Sequence, residues 1–174
     1  EIGEFDKAIE IYINNLKQAE ELDDKRGMAY SLGHIGFSFL NKGGYSNKGN
    51  FDKALIYFTR AHDISKELGD KYGMGYSLNG IGLIYLHLGE YDKALLSSTR
   101  SYETRKALGD KHGMGYSLNA MGLITVGKGD YNKGIEYHTR SIEIKKEIGD
   151  KRGIGVSLIN SGSTYHYKGD YEKA

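Results

Sequence analysis

Apolar residues recur along the chain with the period of an amphipathic α-helix. Phe51, Ala54, Phe58 and Ala61 follow the three- and four-residue spacing that gathers side chains on one helix face, and residues 78–85 carry a similar stripe. Neither strict alternation nor a run of β-branched residues favours a strand. The pattern predicts eight helices, at residues 4–22, 27–42, 51–68, 73–88, 91–108, 113–128, 131–148 and 153–168.

Two sequence blocks return at a fixed spacing. Residues 69–79 recur 40 positions later at 109–119 and, in part, after a further 40 at 149–158. A fourth copy, at 24–32, lies 46 residues before its counterpart, and the six extra residues fall at 44–49. The second block has an aromatic residue followed by Asp-Lys-Ala or a close variant, and its copies are residues 5–8, 51–54, 91–94, 131–134 and 171–174. Such a period indicates a repeat architecture of stacked helix pairs.

The repeated unit closely resembles the tetratricopeptide repeat. Leu78, Ile81, Gly82 and Tyr85, followed by Ala94, reproduce its Leu-Gly-x-x-Tyr and later Ala positions. Further matches lie at Leu32, Ile35, Gly36 and Phe39 with Ala54 and Phe58, at Leu118, Met121 and Gly122, and at Leu158, Ser161, Gly162 and Tyr165. The resemblance implies an all-α, right-handed superhelical solenoid of antiparallel helix pairs.

The chain departs from this family's usual pattern in ways that bear on its packing. The period is 40 rather than 34 residues, and the terminal proline is missing. Ser98 and His138 stand where a large aromatic residue is usual, Gly134 replaces the alanine and Thr125 the tyrosine, so looser packing is expected in the third unit. The longer unit is similar to arrays in bacterial and archaeal signalling proteins and in Pins-type adaptors.

The repeat boundaries predict a single array over residues 1–174. Its parts are an orphan second helix at 1–22, a repeat at 27–68 with an insertion at 44–49, repeats at 73–108 and 113–148, and a truncated repeat at 153–174. The two truncated ends have complementary apolar faces, which suggests head-to-tail stacking. Tyr45 in the insertion belongs to a tolerated surface loop or, alternatively, to a contact element.

Glycine is abundant because it recurs in columns of the repeat. Of 25 glycines, 19 occupy five columns, and proline is absent. One column, Gly3, Gly49, Gly89, Gly129 and Gly169, precedes the second block and is predicted to form turns. Another column, Gly36, Gly82, Gly122 and Gly162, lies inside predicted helices. Its recurrence predicts that a neighbouring helix passes too close for a side chain.

Composition excludes several classes of function. Without cysteine the chain has neither disulfides nor thiolate sites, and a net charge of +1 gives no bulk attraction to nucleic acid or membranes. No apolar run approaches a membrane span, and residues 1–20 do not resemble a signal peptide, so a cytoplasmic protein is expected. The histidines are scattered, residues 69–75 lack the phosphate-loop ending, and no catalytic constellation is found. We therefore predict no enzyme, no metal site and no cofactor.

An aromatic and apolar row lies opposite the core-facing stripe of the first helix in each unit. It has two interpretations: packing between adjacent repeats, or a concave groove that binds a peptide or helix. The predicted partner-binding residues are Tyr30, His34, Phe37, Tyr76, Asn79, Leu83, His87, Tyr116, Asn119, Leu123, Asn160 and Tyr167. Because no basic residues stand at these concave positions, an apolar or helical segment fits better than an acidic tail.

These features favour a scaffold that binds a protein or peptide. The alternatives are a regulatory sensor segment of a larger signalling protein, and self-assembly through repeat stacking. A periodic row of arginines is expected on the outer side, in surface ion pairs three residues apart. The predicted pairs are Arg60 with Asp63, Arg100 with Glu103 and Arg140 with Glu143.

Overall fold

The computed structural model describes residues 2–42 and 48–173, and within these ranges the chain forms helices and no strand. The helices are α1 (Ile2–Glu21), α2 (Lys25–Lys42), α3 (Lys48–Glu67), α4 (Lys71–His87), α5 (Tyr91–Ala107), α6 (Lys111–Gly127), α7 (Tyr131–Glu147) and α8 (Lys151–Lys168). All eight predicted helices are thus confirmed, with boundaries shifted by at most three residues. Residues 44–47 of the insertion, including Tyr45, lie outside the described residues, and residues 48–49 begin α3.

Helix boundaries follow from the Leu-Gly-Asp-Lys connector. Gly69 has a positive φ of 65°, a conformation that glycine adopts without strain, and its N–H donates to the carbonyl of Lys66 at 3.1 Å. The next residue, Asp70, caps α4 by accepting a hydrogen bond from the Tyr72 N–H at 3.0 Å. Because the aspartate is the cap, α4, α6 and α8 begin two residues earlier than predicted.

The predicted glycine turns are confirmed at Gly89, Gly129 and Gly169, which all have positive φ. The prediction is wrong for Gly3 and Gly49, which lie in the first turns of α1 and α3. In those two places the helix begins before the glycine, so the chain does not turn there.

The chain forms the predicted all-α, right-handed superhelical solenoid of antiparallel helix pairs. Each helix packs against its neighbours in sequence, while α2, α4, α6 and α8 also contact one another in order. We call these four the inner helices and α1, α3, α5 and α7 the outer helices. Each outer helix from α3 onward fills the junction between two inner helices: α3 the first junction, α5 the second and α7 the third.

The composition of the core changes along the array. At the first junction Phe51, Ala54, Phe58 and Ile84 form a buried apolar cluster with Leu40. Further along, serine hydroxyl groups close the interior. Ser101 Oγ donates to the carbonyl of Gly75 at 2.7 Å and lies 2.9 Å from Ser117 Oγ, and Ser141 makes the same contacts with Gly115 and Ser157, at 2.7 Å and 3.1 Å.

Three glycines of the intrahelical column confirm the predicted close approach. A Cβ atom added to Gly36 would lie 2.9 Å from the Phe58 ring, inside normal contact distance. At Gly82 and Gly122 it would overlap Ser98 Oγ and the His138 ring respectively. The glycine therefore admits the residue of the outer helix that stands at the aromatic position of the repeat.

Candidate functional site

A groove of about 1170 Å³ opens at the first junction, between α1, α2, the end of α3 and the start of α4. We call it the first-junction groove. Three of the predicted partner-binding residues, Tyr30, His34 and Tyr76, line it together. The structure therefore brings the first part of the predicted aromatic row into one concave site.

The rings of Tyr30, His34 and Tyr76 line this groove at tilted angles, and Tyr12, which is not a lining residue, stacks on His34. The His34 ring lies 4.8 Å from Tyr12, 4.3 Å from Tyr30 and 5.7 Å from Tyr76, measured between ring centroids. Burial lowers the pKa of His34 below its ordinary 6.5 and raises the pKa of Tyr76 to about 12. Both shifts favour the neutral forms of the His34 and Tyr76 side chains.

The aromatic residues differ in how much surface they offer to a partner. Tyr30 is 62% exposed, Phe37 45% and Tyr116 39%. Tyr76 is only half-buried, but its ring packs on Phe58 with centroids 6.2 Å apart. Tyr30 and Phe37 can therefore be truncated with little effect on the core, whereas the Tyr116 ring lies 4.6 Å from Nζ of the buried Lys145.

Several predicted residues have packing roles instead. Asn119 is buried, and its Oδ1 accepts from Asn160 Nδ2 at 3.1 Å and lies 3.1 Å from Nδ1 of the buried His138. Leu83 packs against the core of the first junction, and the His87 ring stacks on Phe51 at 5.0 Å. For these residues the structure favours inter-repeat packing over direct partner contact.

The remaining predicted residues lie away from the first-junction groove. Asn79 and Leu123 are half-buried on α4 and α6. Tyr167, 67% exposed near the end of α8, borders a separate cavity of about 300 Å³ with Ser163 and His166. The twelve predicted residues therefore do not form one continuous surface.

Two buried cations of the interior were not predicted from the sequence. Arg105 at the second junction donates from a guanidinium nitrogen to Asp110 at 2.6 Å. Lys145 at the third junction is 0% exposed and donates from Nζ to Ser157 Oγ at 2.9 Å and to the Gly153 carbonyl at 3.3 Å. Burial lowers the pKa of Lys145, while Asp150 raises it.

The repeat alignment contains a signal for this arrangement. Ser65, Arg105 and Lys145 occupy one column, each 40 residues from the next. A Cβ atom on Gly75 would lie 2.9 Å from Arg105 Cγ, and one on Gly115 would lie 3.1 Å from Lys145 Cγ. Glycines at the start of the inner helices thus make room for a long side chain from the outer helix.

Charged residues at the rim of the groove were also missed. Arg26 and Lys71 line the first-junction groove together with Asp24 and Asp70. Arg26 and Lys71 lie outside the predicted aromatic row. The prediction that no basic residues line the concave face considered only the positions of that row. Opposite charges nevertheless balance at this rim, so the groove as a whole has no strong preference for an anion.

None of the three predicted ion pairs of the outer arginines forms among the described residues, and two of these arginines have other partners. Arg60 lies 3.6 Å from Glu20 of α1, and Arg140 donates to the Tyr102 hydroxyl of α5 at 3.3 Å. Both reach across to the preceding outer helix instead of to an acid three residues along. Exposed contacts of this kind stabilise the array only slightly.

Neither a metal centre nor a membrane span is found in the part of the chain that the structure describes. No group of three or more His, Asp or Glu side chains there is placed to hold a metal ion. None of the described helices combines the length and apolar character that crossing a bilayer requires.

Similar solved structures place the fold among α-helical repeat solenoids. BtubC (BKLC) from P. vanneervenii is 22% identical, with a TM-score of 0.78 over 99% of this chain and 69% of that chain. A Signal Transduction ATPase with Numerous Domains (STAND) protein with a tetratricopeptide repeat sensor, from Pyrococcus horikoshii, is 24% identical, with a TM-score of 0.76 over 97% of this chain and 25% of that chain. A de novo designed helical repeat protein is 16% identical, with a TM-score of 0.53 over 99% of this chain and 92% of that chain.

A family model identifies the repeat in the sequence. The tetratricopeptide repeat model matches residues 43–107, and the same motif recurs in the other helix pairs. This match, over 65 of the 174 residues, shows that the chain contains tetratricopeptide repeats. A comparison with curated proteins found no match. Tetratricopeptide repeats generally mediate protein–protein interaction, and proteins built from them are generally scaffolds without catalytic activity.

Proposed function

We propose that this chain is a non-catalytic recognition module that holds a peptide or helical segment of a partner protein in the first-junction groove. The observation that carries the proposal is the groove itself, with about 1170 Å³ of space beside the aromatic rings of Tyr30, His34 and Tyr76. Sites for small molecules usually have about 300–1000 Å³. A groove above that range is large enough for several side chains of a protein segment.

The surface chemistry supports a segment with apolar anchors. Tyr30 on α2 and Tyr72 on α4 are exposed and line the groove. Large aromatic side chains contribute most of the binding energy in many protein interfaces because they bury much area with few rotatable bonds. The cytoplasmic setting and the lack of nucleic-acid binding remain predictions.

A selection from a random peptide library tests this proposal and does not require that the partner be known. Peptides enriched on the wild-type chain should lose affinity for a Tyr30→Ala/Tyr72→Ala variant, which removes two exposed rings that line the groove. The matched control is Ile56→Ala/Leu96→Ala, which removes exposed apolar side chains from outer helices α3 and α5. If the control weakens binding as much as the groove variant does, or if the groove variant binds normally, the proposal is wrong.

A sensor role is a second candidate, and the similarity to the STAND protein supports it. That protein is described as having a tetratricopeptide repeat sensor, and this chain spans a quarter of its length. A sensor requires that bound peptide change the shape of the array. Small-angle scattering with and without a selected peptide tests this, and an unchanged radius of gyration at saturation argues against a sensor that acts through superhelix pitch.

End-to-end stacking is a third candidate, and the exposed face of α8 supports it. Leu158 is 53% exposed, whereas its counterpart Leu118 is 0% exposed beneath an outer helix. The outer helix α1 of a second copy is the kind of element that covers this position in the other repeats. Light scattering should show association that grows with concentration and that Leu158→Asp abolishes, whereas a strict monomer excludes it.

A further inference from the structure

We propose that the first-junction groove takes an arginine or lysine side chain from the partner segment. That side chain would occupy the space over Ser65 that the chain's own Arg105 and Lys145 side chains fill at the next two junctions. The inference rests on the proposed function for the source of the side chain. The site itself is defined by residues of this chain and can be tested separately.

The second and third junctions show how a repeat of this chain encloses a cation. The Arg105 guanidinium bonds to the cap Asp110 and lies over the Tyr72 ring, 5.7 Å from its centroid. Lys145 Nζ lies 4.6 Å from the Tyr116 ring centroid, in addition to its bonds to Ser157 and the Gly153 carbonyl. Each cation therefore has an aromatic face on one side and oxygen acceptors on the other.

The first junction keeps most of these surroundings and lacks the cation. There Ala29 stands where Gly75 and Gly115 make room for the cations, and Arg26 stands where Tyr72 covers Arg105. The counterpart of Lys145 is Ser65, whose side chain ends one atom beyond Cβ. The residues equivalent to those around Lys145 and Arg105 line the open groove, and they are Ala29, Tyr30, Asp70, Gly73 and Ser77. A side chain that enters here meets the same aromatic face and the same acceptors as Lys145 does.

Two polar groups at this site lack the partners that their counterparts have. Ser65 Oγ is buried at the floor of the groove and has no hydrogen-bond partner. Asp70 accepts the backbone bond from Tyr72, but no side chain among the described residues pairs with it as Arg105 does with Asp110. An incoming guanidinium or ammonium group would satisfy the free acceptor capacity of this carboxylate.

The rim restricts which side chains reach the site. Asp24, Arg26 and Lys71 are exposed, whereas Asp70 lies deeper and is half-buried. A long, flexible stem that carries its charge at the tip passes the two rim cations and places that charge against Asp70. An acidic side chain would instead pair with Arg26 or Lys71 at the rim, so an acidic probe is the appropriate control.

Titration with single residues tests the site. N-acetyl-arginine amide and N-acetyl-lysine amide are added to the ¹⁵N-labelled chain, and amide chemical shifts are followed. Saturable shifts are expected for residues 27–34 and 69–77. N-acetyl-glutamate amide, titrated separately, is the control probe of opposite charge. Binding of the glutamate probe at these residues in place of the two cationic probes would overturn the proposal.

Two variants separate the site from the fold. Ser65→Arg supplies the cation from the chain itself and should abolish the saturable shifts. Asp70→Asn removes the charge, keeps a good helix cap and should weaken binding about tenfold, since it removes a charge-assisted hydrogen bond. Asp130→Asn, at the cap of α7, is the matched control and should bind normally.

Each outcome decides between the two proposals. If Ser65→Arg and Asp70→Asn both bind the cationic probes like the wild type, the cation site is wrong even where peptide binding still depends on Tyr30 and Tyr72. If the cationic probes bind as expected but peptide selection is indifferent to those aromatic residues, the cation site stands and the proposed function fails.

Discussion

The first and third junctions of this array occupy equivalent places in the fold but are closed by different chemistry. At the first junction the Phe58 ring fills the space between two inner helices, against Gly36 and Gly80. At the third junction His138 stands in that position, bonded to Asn119 next to Asn160. The repeat therefore fixes where a side chain must be enclosed, and the facing residue adapts to its size and polarity.

A second difference between these junctions concerns access. Lys145 closes the third junction near the start of the inner helices, whereas Ser65 leaves the first junction open there. Regular repeats thus explain how the array holds together, and departures from regularity mark where it can bind something else. Substitutions at equivalent positions of different junctions test this comparison.

The largest effect is expected from Phe58→Ala. Because the ring is 0% exposed and faces glycines on both inner helices, its removal leaves a cavity that costs about 3–5 kcal/mol of unfolding free energy. Ser98→Ala at the equivalent position should cost less than about 1 kcal/mol, since Ser98 Oγ is buried without a hydrogen-bond partner. Urea unfolding measures both, and similar losses would contradict the difference between the junctions.

Acid should weaken the third junction next most strongly. Burial and, to a lesser extent, the charge of Lys145 together lower the pKa of His138 to about 4, against 6.5 when unfolded. Because the unfolded chain binds the proton more readily, protonation of this histidine favours unfolding. The free energy of unfolding is therefore unaffected above pH 6.5 and falls by on the order of 3 kcal/mol as the pH drops towards 4. The free energy of unfolding should change less with pH across this range in His138→Ser than in the wild type. Equal slopes of this free energy against pH would argue against a buried neutral histidine.

Some pH dependence should remain in that variant. Burial also lowers the pKa values of His34, His62 and His87, so their contributions fall in the same direction. Only the difference between the two slopes therefore reports on the third junction.

An intermediate effect is expected from Gly80→Ala. The added methyl group would overlap the Phe58 ring, and overpacking of this kind costs about 1–3 kcal/mol. The equivalent residue at the next junction is already Ala120, opposite the small Ser98. In a Phe58→Ala background the substitution should cost much less, and equal costs in both backgrounds would contradict size matching between the two positions.

The smallest effect is a gain in stability from Gly155→Ala. A Cβ atom on Gly155 meets open space in the described structure, so the substitution should add up to about 1 kcal/mol through helix propensity. Gly115→Ala should gain less or lose stability, since its Cβ atom would press on Lys145. Thermal unfolding compares the two, and an equal gain would mean that Lys145 does not confine the third junction.

Periodicity made much of this fold predictable. Eight helices and the close contacts at Gly36, Gly82 and Gly122 could be predicted because each signal repeats, so that one copy supports the next. The predictions of turns at Gly3 and Gly49 were wrong because these glycines occupy the same repeat column as the turn glycines, whereas α1 and α3 begin before them.

The candidate site was less predictable because burial depends on the facing residue. Arginine and lysine side chains are usually exposed, so the sequence alone indicates surface positions for Arg105 and Lys145. Only the glycines opposite them indicate that their side chains are enclosed. Asn119 lies on the flank of its helix, and the histidine that draws it inward belongs to another helix. A helical wheel of one segment does not contain that information.

The most direct test of an open first junction is hydrogen–deuterium exchange with and without a library-selected peptide. Bound peptide should slow exchange at residues 26–34 of α2 and 70–77 at the start of α4. It should leave residues 152–160, the equivalent stretch at the closed third junction, unchanged. Protection confined to the outer helices or to α8, with α2 and α4 unaffected, would contradict recognition at the first-junction groove.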